Sequence, residues 1–155
     1  DAGTNAKLMI VGDGDERANV DSLIGELGLA EYVIMTGYEP KPHNHLALMD
    51  IYLLPSLSEG TSMTLLEAMS LGKPCIETNA GGNPEIVLHD ETGLVTPNDD
   101  AQAYAQAMIM LANNTQQQDT FSKAAKIRFE QTFSIKHMVQ AYQALYSQLS
   151  SSGNA

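Results

Sequence analysis

The stretch Pro55-Ser56-Leu57-Ser58-Glu59-Gly60-Thr61-Ser62-Met63-Thr64-Leu65-Leu66-Glu67-Ala68-Met69 decides how the rest of the chain is read. It follows Ile51-Tyr52-Leu53-Leu54, a short apolar run that reads as a buried strand cut off by Pro55. It runs into Leu65, Leu66, Ala68 and Met69, spaced for the inner face of a helix that Gly72 stops and Pro74 follows. Gly60 lets the backbone turn tightly or lie close to a ligand. Thr61 or Ser62 is placed to cap the helix. The amides of Met63, Thr64 and Leu65 then face outward with the positive end of the helix dipole, which holds an anion without any basic side chain. A diphosphate fits that description.

Two acids flank this helix start. Glu59 lies in the loop before it and Glu67 one to two turns in. A carboxylate beside a polyphosphate is unfavourable unless it accepts hydrogen bonds from hydroxyls. Sugar and ribose hydroxyls supply them, so the arrangement suits a ligand with a phosphate bridge between two sugars. A plainer reading has Glu67 as a solvated helix residue and Glu59 as a dipole-stabilising one. The residues alone leave both readings open, because anion sites of this kind recur on many folds.

Outward from this stretch, short apolar runs alternate with helical patterns. Strands are expected over 8–11, 32–36, 51–54, 75–78 and 93–96, helices over 15–28, 62–71 and 84–88, the last with Asn83 as a possible cap, and a short helix or turn over 45–49. Val20, Leu23, Ile24 and Leu27 form the inner stripe of the first helix. This alternation implies an α/β fold: a Rossmann-like parallel sheet with helices on both faces, binding ligands at the carboxyl ends of its strands. After Asn98 the pattern is helical only, over 99–112, 116–131 and 135–149, with a polar link at 113–118. Tyr142, Leu145, Tyr146 and Leu149 line one stripe of the last helix. Residues 150–155 read as a disordered tail.

Composition narrows the function classes. The 155 residues suit one domain, and 43% are apolar, enough for a core. No apolar run reaches the roughly 18 residues of a membrane helix. A net charge of −11 weighs against nucleic acid and against an anionic membrane surface. The one cysteine, Cys75, forms no internal disulfide, and a reducing cytoplasm is the simplest setting. The chain starts at Asp1 with no signal-peptide pattern, which suggests a piece of a longer polypeptide.

Weaker signals have bland readings. Gly12-Asp13-Gly14-Asp15-Glu16-Arg17 lacks the third glycine of a dinucleotide fingerprint and reads as a structural turn. Gly81-Gly82 fits either a close approach to a ligand or a plain strand-to-helix turn. His43 and His45 read as surface imidazoles, with no third metal ligand at a clear spacing. Cys75 and Met63, Met69, Met108 and Met110 read as core filler.

The segment from Leu53 to Thr96 resembles the donor-binding domain of retaining glycosyltransferases with two Rossmann-like domains, the GT-B fold of group 1 type. The residues that carry the likeness are Leu54-Pro55-Ser56, Glu59-Gly60, Leu66-Glu67-Ala68-Met69, Gly72-Lys73-Pro74, Gly81-Gly82-Asn83-Pro84-Glu85-Ile86-Val87 and Gly93-Leu94-Val95. Glu59 and Glu67 reproduce that family's E-x7-E spacing. Upstream, Leu8 to Gly14 and Thr36-Gly37-Tyr38 look similar too.

The resemblance implies one half of a GT-B fold whose substrate is a UDP- or GDP-sugar, with no metal and no other cofactor. Glu59 would lie near the transferred sugar as the catalytic candidate, and Glu67 would hold the ribose. Gly60, Thr61 and the amides of Met63, Thr64 and Leu65 would meet the phosphates, and the base would lie near Gly37 and Tyr38. The family usually begins this domain with a further strand and helix bearing an Arg and a Lys, which have no match here. The N-terminal acceptor-binding domain is also missing, so residues 1–149 make a partial donor domain, expected to be inactive alone. Tyr142 and Tyr146 belong either to the core or to a surface crossing back onto the missing half. The expected setting is cytoplasmic polysaccharide or lipid-linked sugar synthesis, with any contact to the inner membrane made by the missing half. The rivals are a non-catalytic nucleotide-sugar binding or interaction module and a nucleotide-sugar epimerase-like enzyme.

Overall fold

The computed structural model describes residues 6–152. The chain forms two compact units, residues 1–50 and 51–155.

In the first unit, strands β1 (Leu8–Val11) and β2 (Val33–Gly37) pair in parallel, Leu8 opposite Val33. Helix α1 (Arg17–Glu26) joins them, and α2 (Pro42–Leu48) follows. An Arg17–Asp21 ion pair one turn apart lies on α1. The expected inner stripe of α1 is only partly covered: Val20 and Ile24 are half-buried, while Leu23 and Leu27 are exposed. Leu46 is the buried apolar residue of this unit.

The second unit is built on three parallel strands in the order β3 (Tyr52–Leu54), β4 (Cys75–Thr78), β5 (Gly93–Thr96). Leu54 stands beside Glu77, and Glu77 beside Val95. Side chains alternate across a strand, so each strand feeds two layers. Leu53, Ile76 and Leu94 pack with Tyr104, Leu111 and Phe121 of α5 (Ala101–Ala112) and α6 (Thr115–Arg128). The Tyr104 hydroxyl donates to the Ile76 carbonyl at 2.8 Å, and burial pushes its pKa upward. On the other face, Tyr52 meets α3 (Met63–Ser70), which buries Leu65, Ala68 and Met69.

Short α4 (Asn83–Ile86) links β4 to β5. Asn83 is not its cap: the side chain turns inward, fully buried, with neither amide atom hydrogen-bonded. The polar link is shorter than the sequence suggests, because Asn114 caps α6 by accepting from the Gln117 N–H. After α6 comes a π-helical turn, Phe129–Phe133, then α7 (Ile135–Ser152). Helix thus continues into the segment read as a tail; residues 153–155 lie outside the described residues. No helix among the described residues is long and apolar enough to cross a membrane.

Candidate donor site at the start of the third helix

The loop after β3 delivers Glu59 and opens α3 at the carboxyl edge of the three-stranded sheet, where open α/β sheets take ligands. Ser62 is the residue that caps α3, its hydroxyl oxygen accepting the Leu65 N–H at 3.4 Å. That amide is therefore already engaged, and Leu65 itself is buried. Met63, at 64% exposure, and Thr64 stand at the open end of the helix. The Met63 exposure overturns its reading as core. Gly60 and Thr61 are exposed in the loop.

Glu59 is half-buried and accepts a hydrogen bond from the Ser56 hydroxyl at 2.7 Å. Glu67 is exposed on α3. The Tyr52 hydroxyl ties β3 to the start of α3. It donates to Thr64 Oγ1 at 2.7 Å, and Thr64 Oγ1 lies 3.2 Å from the Ser62 hydroxyl. Burial raises the Tyr52 pKa, and its bond to Thr64 works the other way. Sequence reasoning missed Tyr52, because only the packing of α3 on β3 brings it to Thr64.

Behind the site, Glu77 on β4 is fully buried with both carboxylate oxygens unpartnered, and burial pushes its pKa up to about 8. Cys75, two residues earlier, is buried too, and its thiol is pushed up by burial and then by Glu77. A thiol in that state is inert. Two shallow cavities, of about 340 and 300 Å³, lie on this unit; neither is lined by Glu59 or Glu67. Among the described residues, no three His, Cys, Asp or Glu side chains gather as around a metal ion.

Gly37 and Tyr38 belong to the first unit. Gly37 has φ 72° and accepts the Gly12 N–H at 3.0 Å, and Tyr38 is 81% exposed.

Parallel strands with helices on both faces, opening at their carboxyl edge onto a capped helix start with an acid on either side of it in sequence, make an open α/β domain of the Rossmann-like kind. The chain belongs to the glycosyl transferases group 1 family, whose model matches residues 1–128. It is 32% identical to N-acetyl-alpha-D-glucosaminyl L-malate synthase of Bacillus anthracis over 142 residues, which is 92% of this chain and 37% of that protein. It is 32% identical to the amylovoran biosynthesis glycosyltransferase AmsK of Erwinia amylovora over 132 residues, 80% of this chain and 32% of that one. Among solved structures, HepE of Anabaena in complex with UDP superposes with a TM-score of 0.81 at 28% identity, covering 94% of this chain and 41% of that chain. The chain thus spans well under half the length of these relatives.

Proposed function

We propose that this chain is the donor-binding part of a retaining glycosyltransferase that moves a sugar from a UDP- or GDP-sugar to an acceptor. The observation that carries the reading is the start of α3, where the Ser62 cap, exposed Met63 and Thr64 and exposed Glu67 follow directly on the loop that carries half-buried Glu59. The Met63 and Thr64 amides and the helix dipole take up charge on the leaving diphosphate. Gly60 and Thr61 lie close along the phosphates, and when a ligand enters, the Ser62 cap on the Leu65 N–H is exchanged for a phosphate oxygen. Glu67 accepts from ribose hydroxyls. Glu59 orients the sugar and faces the positive charge that builds on its ring as the bond to phosphate breaks. No metal is needed for these roles. That HepE structures hold UDP and UDP-glucose supports the choice of ligand class.

The rest of the protein, in this reading, supplies two things. A preceding strand and helix pair with the other edge of β1, whose strand neighbour among the described residues is β2, and bring basic residues for the diphosphate. An acceptor-binding half covers α7, where Met138, Tyr142, Leu145, Tyr146 and Leu149 are 48% to 63% exposed along one stripe. Without these parts the chain has little transferase activity. The setting is the cytoplasm, in polysaccharide or lipid-linked sugar synthesis.

The test uses the full-length protein. Glu67→Gln weakens hydrogen bonds from ribose to a charged acceptor, so KM for the nucleotide sugar rises about 10- to 100-fold. Absence of UDP and GDP binding by calorimetry sinks the reading. Unchanged transfer by the Glu59→Gln, Glu67→Gln double variant favours the non-catalytic module, and an epimerised nucleotide sugar as product favours the epimerase.

A further inference from the structure

The loop at 55–61 carries Glu59, yet has little apolar packing of its own. Leu57 is 69% exposed, and Pro55, Ser58, Gly60 and Thr61 are exposed as well. A loop with so few buried contacts ordinarily opens early. Here its main chain is held from two neighbouring loops. The Ser56 carbonyl accepts from the Thr78 hydroxyl at the end of β4. The Leu57 carbonyl accepts from Asn98 Nδ2 at 2.9 Å, beyond β5. The Gly60 carbonyl accepts from the Gly82 N–H at 3.2 Å. The Glu59 carbonyl lies so near Gly81, at φ 53°, that any Cβ there would overlap it. A Cβ on Gly82 would stand 2.6 Å from the Gly60 oxygen. Within the loop, Ser56 donates to the Glu59 carboxylate.

The struts are themselves braced. Asn98 Oδ1 accepts the Asp99 N–H at 3.1 Å. Behind Gly82, the end of α4 is held by Arg128, whose Nε donates to the Ile86 carbonyl at 2.9 Å and Nη2 to the Glu85 carbonyl at 2.6 Å.

We infer that Ser56, Thr78, Gly82 and Asn98 are positioning residues for Glu59. They hold its backbone and one carboxylate oxygen before substrate arrives, so that no reorganisation is needed when charge develops on the sugar. Gly81 and Gly82 are glycines because the Glu59–Gly60 backbone occupies the space a side chain would need. This rests on the reading of Glu59 as the sugar-facing acid. It predicts a division of labour: the Ser56 and Thr78 struts act on the sugar end of the site, while the Met63 and Thr64 amides, built on α3 itself, do not depend on them.

The experiment measures transfer kinetics and UDP affinity in the full-length protein for Ser56→Ala, Thr78→Val, Thr78→Ser, Gly82→Ala and Glu59→Gln, with folding checked by circular dichroism. Ser56→Ala and Thr78→Val are expected to lower kcat by about 10- to 100-fold, the range for small misplacements of a reacting group, with the Kd for UDP within about twofold. Thr78→Ser keeps the hydroxyl and restores most of kcat. Gly82→Ala lowers kcat at least as much as the hydroxyl deletions. Ser56 lies outside the core, so Ser56→Ala remains decisive should Gly82→Ala or Thr78→Val unfold. The inference is overturned if Ser56→Ala keeps its kcat while Glu59→Gln loses it, which leaves the role of Glu59 standing. It is equally overturned if UDP affinity falls in step with kcat, since that marks a merely structural loop. Wild-type transfer by Glu59→Gln removes the role of Glu59, and the inference goes with it.

Discussion

The two units start from the same kind of sequence and reach different degrees of burial. Both alternate apolar strands with helices. In the second, Leu65, Met69, Ile76, Val87, Leu111 and Phe121 are at most 1% exposed. In the first, all four residues of β1 stay half-buried, and Leu23, Leu27, Tyr32 and Ile34 are about half exposed. The difference lies in the number of layers. Among the described residues, the second unit has helices against both faces of three strands, and the first has two strands and two helices, one of them with no buried residue. A hydrophobic pattern states which side chains gain from leaving water. It does not state whether a covering surface lies nearby.

The largest test of this contrast is Glu77, a carboxyl enclosed by the well-packed unit. Its pKa rises from an ordinary 4.5 to about 8. The unfolded chain ionises it near the lower value and the fold only near the higher. Stability from this group is therefore full below about pH 4.5 and is lost as pH climbs towards 8. Stability falls steadily with pH through that window and levels off beyond it. Urea titrations at stepped pH check this. Glu77→Gln, which carries no titrating proton, should show a flatter profile over that window. An identical slope in wild type and variant would mean that Glu77 is solvated and the second unit looser than described.

Next in size is Phe121→Ala. Phe121 is 1% exposed at the centre of the cluster formed by α5, α6 and the sheet. Its removal leaves a cavity and should cost about 3–5 kcal/mol, read as a lower urea midpoint at unchanged m. A loss under about 1 kcal/mol would show that this core collapses to fill the gap.

The same contrast explains how much could be read in advance. The bounds of β4 and β5 follow from the sequence to the residue, because Pro74 precedes one, Gly93 opens the other, and each is a four-residue run rich in apolar and β-branched residues, broken in β4 by Glu77. Met63 and Met110 were misread as core for a reason of phase. Inward positions on α3 are Leu65, Ala68 and Met69, and on α5 Tyr104, Ala107, Met108 and Leu111. Met63 and Met110 fall off those stripes and are 64% and 48% exposed. At the candidate site, Glu59, Gly60 and Glu67 were legible as a local pattern. The Thr78 strut to Ser56 was not, because it spans 22 residues and depends on the parallel register that sets Leu54 beside Glu77. Glu77 was not singled out either; nothing in its neighbours announces a buried acid.

The smallest effect belongs to the first unit, and it sharpens the contrast most. Ile10 lies mid-strand in β1, opposite Met35, and is only half-buried. Truncation to alanine removes side-chain area that water already reaches in part. The cavity term is also small, because solvent fills the space. Ile10→Ala in the present chain should therefore cost about 1 kcal/mol, below the 2–5 kcal/mol usual for an enclosed isoleucine. If a preceding strand pairs with β1 in the longer protein, Ile10 becomes an interior residue there, and the same substitution should move into the larger range. Equal costs in the two backgrounds would mean that β1 gains no cover from the rest of the protein. Its open edge would then be a property of the fold itself.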